Sequence, residues 1–218
     1  MIFGKIDYLN LLPFHVFMKR FVQHSSPKMS MNSKKNVPSK INKKFLSRSV
    51  DAAFISSIRA KNFRHVNLGI IAKKEVRSVL VKPHASYLSD SESETSNVLA
   101  KILGFEGEVV IGDKALRYYH GGGEHIDLAK IWHVNTGLPF VFALLCYHTD
   151  RELYKKIEVN FLRQKVKIPH YILKQAANKS GIVPKDILEY LGLISYKVDT
   201  KALQGLKRFY KLAQELPR

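Results

Sequence analysis

Short runs of consecutive apolar residues alternate along this chain with segments in which apolar residues recur every three or four positions. The first pattern is typical of buried strands, and the second is typical of helices that pack one face on a sheet. The opening residues show both in succession. Ile2, Phe3 and Ile6 predict a short buried strand, Asn10 ends it, and Pro13 suits the first turn of the helix that follows.

The same alternation continues to the C-terminal end. Buried strands are predicted at residues 50–57, 68–72, 76–81 and 109–113, and residues 136–145 are predicted to be a turn that leads into another apolar strand. Helices are predicted at residues 39–48, 97–103, 151–161, 168–178, 184–190 and 200–214. The polar stretch 24–36 is predicted to be a loop. Alternating strands and helices indicate an α/β protein, and the apolar strands around Val79 and Phe142 suit the paired crossovers of a two-lobed chain.

Small polar residues follow several of these strands, where a helix begins. Asn10 follows the first strand, Ser56 and Ser57 end the second, and a cluster of hydroxyl and acidic residues spans 89–96. Ligands of open α/β sheets bind at such strand ends, where free helical N–H groups favour an anion. Each position also admits a structural interpretation: Asn10 as a turn or cap residue, the 89–96 cluster as a capping box, and Ser78 as a strand-face hydroxyl bonded to backbone.

Charge and composition narrow the class of protein. The 218 residues carry a net charge of +18, but Lys and Arg are spread along the whole chain and no zinc-finger or RNA-binding signature accompanies them. A surface that attracts small anions is favoured over a nucleic-acid partner. No apolar run approaches the ~20 residues of a membrane span, no signal-peptide pattern is present, and the single cysteine, Cys146, suits a reducing compartment. We expect a cytoplasmic protein with no membrane partner.

Common catalytic and metal-binding motifs are not found in the sequence. The nine histidines show no HExxH or paired ligand spacing, and there is no nucleophile elbow or Walker lysine. His120 and His125 flank a glycine run, but isolated histidines at this spacing are more often surface residues. Cys146 ends an apolar strand and is expected to be a core thiol. No metal site is predicted, and an anionic small molecule is the expected ligand.

Seven segments together resemble a known family. They are 7–14 (DYLNLLPF), 37–39 (VPS), 51–57 (DAAFISS), 78–80 (SVL), 93–96 (SETS), 111–116 (IGDKAL) and 136–143 (TGLPFVFA). In order and rough spacing they are similar to segments of the chorismate dehydratases of the futalosine route to menaquinone. The resemblance covers most of the chain to about residue 145 and is weaker in the helical tail.

This resemblance implies the fold of type II periplasmic binding proteins, in which two α/β lobes enclose a ligand cleft. Residues 1–75 and 160–218 are then expected in one lobe and residues 76–159 in a second, inserted lobe. The implied reaction removes water from chorismate to give 3-[(1-carboxyvinyl)oxy]benzoate, without a cofactor. The resemblance maps Asn10 and Ser78 onto polar cleft residues and makes them the candidate catalytic pair. The candidate substrate-binding residues are Ser56, Ser57, Thr95, Ser96 and Asp113.

The implied reaction makes the ring aromatic, so the protein's main task is to hold a dianion in a reactive conformation and to exclude water. The motifs contain no histidine base. The expected proton acceptor is therefore the substrate's own enolpyruvyl carboxylate, with Asp7 as an alternative. Two residues depart from the family pattern: Asp7 replaces a common serine, and Glu94 stands where arginine is usual. Because it would repel a dianion, Glu94 is expected to point away from the cleft.

Three other functions compete with this one. The first is a non-catalytic small-carboxylate binding protein of the same fold. The second is the later enzyme of the same pathway that makes dihydroxynaphthoate, which the DYLNLLPF opening disfavours. The third is a nucleic-acid module, whose signature would be steeply salt-dependent binding to DNA.

Overall fold

Two separate sheets organise the protein, whose computed structural model describes residues 1–24 and 32–217. The larger sheet has the order β2 (Asn32–Asn36), β1 (Ile2–Ile6), β3 (Ala52–Ser56), β8 (Phe140–Tyr147), β4 (His65–Ala72) and β9 (Ile194–Lys197). The smaller sheet has the order β6 (Glu108–Ile111), β5 (Val79–Lys82) and β7 (Ile126–Asp127). Strands β1, β2 and β3 run parallel, and β8 runs antiparallel to β3 and β4. The arrangement confirms the predicted α/β class.

Helices cover the sheets, as the apolar periodicity predicts. They are α1 (Leu12–His24), α2 (Pro38–Leu46), α3 (Ser57–Ala60), α4 (Glu94–Ile102), α5 (Gly112–His120), α6 (Leu128–Thr136), α7 (Arg151–Leu162), α8 (His170–Ser180), α9 (Pro184–Leu193) and α10 (Thr200–Glu215). A 3-10 turn, Leu9–Leu11, joins β1 to α1. No helix in the described ranges combines the length and the apolar character that crossing a membrane requires.

Local chemistry accounts for several of these elements. Every residue of β3 is buried, as its unbroken apolar run predicts for a strand covered on both faces. Helices α2 and α9 each begin with a proline in the first turn, where the missing N–H has no partner to lose. Helix α4 is capped by Ser93, whose hydroxyl accepts a hydrogen bond from the Ser96 N–H at 3.2 Å. The strand ends and helix starts that the sequence predicts are therefore locally encoded.

The chain crosses between the two sheets twice. It leaves the larger sheet after β4, enters the smaller sheet with β5, and returns through the short connection between α6 and β8. The expected inserted range, 76–159, differs from this topology, because β8 pairs with both β3 and β4 in the larger sheet and α7 follows it. We therefore propose that the smaller lobe ends near residue 139.

Polar edge strands are the main departure from the predicted elements. The predicted loop 24–36 includes β2, which pairs in parallel with β1 over five residues at the sheet edge. The rest of that prediction, residues 25–31, lies outside the described residues. Strand β9 forms the opposite edge, where the apolar pattern predicts no strand. Edge strands have few buried side chains, so their sequences lack the apolar run that marks a central strand.

Candidate functional site

A cavity lies between the two sheets, where strand ends from both of them meet. It encloses about 610 Å³ of space, part of it open to solvent. Its walls include the ends of β1, β3 and β6 and the starts of β5 and β8. The polar side chains among its lining residues are Tyr8, Asn10, Ser56, Ser78, Ser93 and Ser96. We call this space the cleft cavity; no charged side chain is among its lining residues in the described part of the chain.

Asn10 lines this cavity from the 3-10 turn after β1. Its backbone carbonyl accepts a hydrogen bond from the Tyr196 hydroxyl at 2.6 Å. The side-chain oxygen, Oδ1, is buried and has no hydrogen-bond partner among the described residues. A buried, unpartnered amide oxygen carries a free-energy cost, so its place in a cavity wall is typical of a ligand contact. The interpretation of Asn10 as a simple cap is not supported by these contacts.

Ser78 reaches the cavity from the residue just before β5. Its hydroxyl oxygen accepts a hydrogen bond from the Tyr190 hydroxyl at 3.0 Å, and both side chains are buried. The partner is thus a side chain, not the backbone group that the structural interpretation of a strand-face serine predicts. Burial raises the pKa of Tyr190 well above the ordinary phenol value, so this hydroxyl keeps its proton at neutral pH.

The crossover that carries Ser78 is held by one carboxylate. Oδ2 of Asp127 accepts hydrogen bonds from the backbone N–H groups of Val76 at 2.9 Å and Arg77 at 2.6 Å. Arg77 has a φ of 58°, in the left-handed region that non-glycine residues rarely adopt. Oδ1 of Asp127 caps α6 through the Lys130 N–H at 3.1 Å. This carboxylate therefore positions Ser78 without contacting the cavity.

Ser56 and Ser96 also face the cleft cavity, and each is held by a polar neighbour. The Asn42 side chain donates to the Ser56 hydroxyl at 2.7 Å and accepts from the Ser56 N–H at 3.3 Å. The Ser96 hydroxyl accepts from the Ser93 hydroxyl at 2.8 Å. Ser93 is also the cap of α4, so the hydroxyl cluster serves both as a cap and as part of the cavity wall.

Three of the predicted substrate-binding residues are not among the cavity-lining residues. The Ser57 hydroxyl donates to the Val141 carbonyl at 2.5 Å, which ties α3 to β8. The Thr95 hydroxyl oxygen accepts from the Ile58 N–H at 3.2 Å and joins α4 to α3. Asp113 accepts from the Leu9 N–H at 3.4 Å and lines a separate outer groove. In this structure all three support the wall from outside the cavity.

Charged residues of the family motifs lie outside the cavity. Glu94 forms two hydrogen bonds with Arg59, at 2.5 Å and 2.8 Å, and both side chains are exposed. Glu94 therefore points away from the cleft, as expected. Asp7 pairs with Lys179 beside the outer groove that Asp113 also lines. Burial raises the pKa of Asp113 above its ordinary value.

Tyr8 forms a boundary between the cleft cavity and the outer groove, since it lines both. Its hydroxyl donates to Glu92, which lies in the segment leading to α4. Its ring covers Gly112, whose φ is 63°; a Cβ at that position would lie 2.9 Å from the ring. The absence of a side chain at residue 112 thus lets Tyr8 close against the smaller lobe.

The contacts of the remaining candidate residues, His120, His125 and Cys146, are those of structural residues. The His120 ring lies 3.2 Å from Asp186, and Nδ1 of His125 lies 2.6 Å from the Gly123 carbonyl oxygen. Among the described residues, no three His, Cys, Asp or Glu side chains converge as metal ligands. Cys146 is buried in β8, and burial raises the pKa of its thiol, which fits the expected core residue.

Four residues that contribute to this site escape prediction from the sequence: Tyr190, Tyr196, Asn42 and Asp127. Each acts through a partner far away in the chain, so no local spacing could identify it. Of the four, only Asp127 lies directly between two apolar residues, so the sequence around the other three carries no signal of this kind. Ser93 is closer to detection, because it belongs to the SETS segment that the resemblance already singles out.

Comparisons with known proteins place the chain in a family. A family model described as menaquinone biosynthesis matches residues 1–108 and 104–215. A chorismate dehydratase of Campylobacter jejuni is 46% identical over 220 residues, covering 99% of each chain. A solved structure from Archaeoglobus fulgidus has a TM-score of 0.73 at 12% identity, covering 98% of this chain and 96% of that one.

The fold is that of periplasmic binding proteins. A Candida albicans protein described as having the generic periplasmic binding protein fold matches with a TM-score of 0.64 and 12% identity, covering 100% of this chain and 91% of that one. At such identity the likeness concerns the fold alone, and it agrees with the two sheets and the intervening cavity. The family match spans almost the whole chain and includes every segment that builds the cavity. The chain belongs to the menaquinone biosynthesis family, and its curated relatives include a chorismate dehydratase.

Proposed function

We propose that this protein is a carbon–oxygen lyase that removes water from chorismate to give 3-[(1-carboxyvinyl)oxy]benzoate. The match to the Campylobacter jejuni chorismate dehydratase, 46% identical over 99% of each chain, supports this activity. The observation that carries the proposal is the chemistry of the cleft cavity. It has uncharged hydroxyl and amide groups, an unpartnered Asn10 Oδ1, and no charged side chain among its described lining residues.

Such a cavity suits a dianion that must lose its hydration water before it reacts. The Ser93 cap of α4 and Gly112, the first residue of α5, both line it. The positive ends of these two helices are therefore directed at the ligand space. Hydroxyl donors and helix N-termini can hold two carboxylates without a counter-ion, since preorganised dipoles act strongly where water is excluded.

The reaction needs one proton acceptor and one departing group. The C3–H bond breaks, its electrons form the new ring double bond, and the C4–O bond breaks to release hydroxide, which the abstracted proton converts to water. Among the described residues, no His, Asp, Glu or Lys lines the cavity. This favours the substrate's enolpyruvyl carboxylate as the proton acceptor. Asp7 is disfavoured in that role, because it pairs with Lys179 in the outer groove.

Asn10 and Ser78 are the proposed catalytic residues. The free Oδ1 of Asn10 can accept the hydrogen of the C4 hydroxyl or of the protonated carboxylate. The Ser78 hydroxyl already accepts from Tyr190, so its own proton is available to a carboxylate or to the departing oxygen. Ser56 and Ser96 are the proposed substrate-binding donors, with Ser57, Thr95 and Asp113 supporting the wall.

The test is to mix the purified protein with chorismate and follow the products by mass spectrometry and ultraviolet absorption. We expect an aromatic product lighter than chorismate by one water, and a strongly reduced yield with Asn10→Ala. Unchanged chorismate would contradict the proposed activity. Calorimetry on the same samples then separates the alternatives: binding without turnover would indicate the small-carboxylate binding protein, and no binding would indicate a different ligand.

A further inference from the structure

The hydroxyl of Tyr190 binds Ser78, one of the two proposed catalytic residues. Tyr190 lies on α9, 112 positions after Ser78 in the chain, and only 2% of its surface is exposed. Its hydroxyl donates to the Ser78 hydroxyl oxygen at 3.0 Å. Burial leaves the phenol almost no contact with bulk solvent.

The direction of this hydrogen bond decides what Ser78 can offer to a ligand. A phenol has one proton, and Tyr190 gives it to Ser78. The Ser78 hydroxyl must therefore direct its own proton elsewhere. Asn10, the other proposed catalytic residue, has a buried Oδ1 with no partner among the described residues, and an amide oxygen can only accept.

Ser78 lies at the cleft cavity and Tyr190 lies behind it, because Ser78 is a lining residue and Tyr190 is not. A serine hydroxyl can rotate, so without a fixed neighbour it could face the cavity as donor or acceptor. The phenol removes that freedom, because its own proton is directed at the Ser78 oxygen.

We propose that Tyr190 is a positioning residue that makes Ser78 a hydrogen-bond donor toward the substrate. The inference rests on the proposed dehydratase function and deepens it. It assigns the Ser78 proton to an anionic oxygen of the substrate, while Asn10 Oδ1 supplies the acceptor. Tyr190 does not touch the substrate and acts only through Ser78.

The position of α9 is fixed by other contacts that do not involve the phenol. Glu189, next to Tyr190, pairs with Arg77 at 2.5 Å, immediately before Ser78. The Tyr190→Phe variant keeps the ring and removes only the hydroxyl, so the helix and its packing are expected to stay. A matched control is Tyr154→Phe, which removes another buried hydroxyl on α7, where the ring stacks on Tyr147.

The experiment measures kcat and KM for chorismate in the wild type, Tyr190→Phe and Tyr154→Phe. We expect Tyr190→Phe to lower kcat about 10- to 100-fold, because misdirected catalytic groups lose alignment, with KM changed less than about threefold. Tyr154→Phe should leave both constants near the wild-type values. A double-mutant cycle with Ser78→Ala adds a readout that a packing defect would not move. In the Ser78→Ala background, the fold-reduction of kcat caused by Tyr190→Phe should be at least about five times smaller than in the wild type, because the acceptor of the Tyr190 hydrogen bond is already missing.

Each outcome has one meaning. A normal kcat for Tyr190→Phe, in an active wild type, would overturn the positioning role and leave the proposed function intact. Equal losses in both backgrounds of the cycle, or an equal loss in Tyr154→Phe, would indicate a general packing effect and would also overturn it. A wild type without dehydratase activity would refute the proposed function, and the positioning role with it.

Discussion

The inside of the cleft cavity and the protein around it differ sharply in charge. The chain carries a net charge of +18, yet the described lining residues are apolar, hydroxyl or amide. Just outside, carboxylates and cations are paired: Glu94 with Arg59, Asp7 with Lys179, and Glu189 with Arg77. The difference teaches that positive charge can attract an anion from a distance, while the proposed binding inside depends on neutral dipoles.

The separation has a physical reason. A lysine or arginine inside a closed cavity must itself lose water, and that desolvation can cancel its attraction for the ligand. Hydroxyl groups and helix N-termini are already held in place by the fold, so they bind an anion at less cost. Ion pairs outside instead join elements of the chain; Arg59, for example, links α3 to α4 through Glu94.

The largest effect is expected when a carboxylate is placed inside the cavity, which removes the difference in charge between the cavity and its surroundings. We expect Ser96→Asp to lower kcat/KM by roughly 1,000-fold or more, because like charges repel by several kcal/mol where water is excluded. Thermal unfolding must accompany the kinetics, because burial of the carboxylate opposes folding while its position in the first turn of α4 favours folding. The matched control is Glu94→Gln, an exposed change two residues away, which should alter kcat/KM less than about threefold. A loss below about tenfold for Ser96→Asp would contradict the neutral-cavity interpretation.

Removing the unpartnered acceptor should have the next largest effect. We expect Asn10→Ala to lower kcat by about 100-fold, the usual effect of losing one preorganised polar contact with the reacting atoms. The melting temperature should change little, because Oδ1 has no partner among the described residues. Steady-state kinetics and thermal unfolding measure the two quantities. Wild-type turnover by this variant would exclude Asn10 from catalysis.

Gly112 offers a comparison between two glycines of similar backbone conformation. We expect Gly112→Ala to lower stability by about 1–3 kcal/mol and to raise KM, because its φ is 63° and the new methyl would meet the Tyr8 ring. Gly104 has a φ of 71°, and among the described residues no heavy atom beyond its chain neighbours lies within 4 Å of the point that a Cβ there would occupy. Gly104→Ala should therefore share the backbone strain but leave KM unchanged. Equal KM values in the two variants would show that the Tyr8 ring does not require a residue without a side chain at position 112.

Substitutions of Ser56 and Ser57 compare a residue that lines the cleft cavity with a neighbour that lies behind its wall. Ser56→Ala should lower kcat/KM about tenfold, by removing a donor from the cavity. Ser57→Ala should leave kcat/KM within about twofold but reduce the free energy of unfolding by about 1 kcal/mol, since the bond to the Val141 carbonyl is lost. Kinetics and urea unfolding on both variants test the contrast, and a reversed pattern would reverse the assignment of the two serines.

The smallest effect concerns the pH dependence of stability through Asp113. Burial raises the pKa of this carboxyl above the ordinary value of 3.8, so the folded state binds its proton more tightly than the unfolded state. That contribution to stability is complete below pH 3.8 and is lost as pH rises through the higher folded-state pKa. Asp113→Asn, which cannot ionise, should therefore gain stability relative to the wild type as pH rises from about 4 to about 7. Urea unfolding across this range measures the difference, and a constant difference would contradict it.

Much of the fold can be predicted because its central elements are encoded locally. The apolar run at 50–57 corresponds to β3 (Ala52–Ser56), and the periodic segment at 200–214 corresponds to α10 (Thr200–Glu215). The two-lobed class is also indicated by the sequence, because the apolar strands around Val79 and Phe142 lie next to the connections between the lobes. The edge strands β2 and β9 escape prediction, since neighbouring strands supply most of what stabilises them.

The candidate site is predicted only in part, for a related reason. The sequence alone determined which strand ends carry polar residues, and the DYLNLLPF and TGLPFVFA segments indicated the family. It could not separate Ser56 from Ser57 or Ser96 from Thr95, because adjacent side chains point in different directions and only packing decides which one meets the cavity. Tertiary structure alone brought Tyr190 to Ser78 and Asp127 to the crossover, since contacts between distant residues leave no local pattern. Composition determined the positive charge of the molecule, and folding placed that charge outside a neutral cavity.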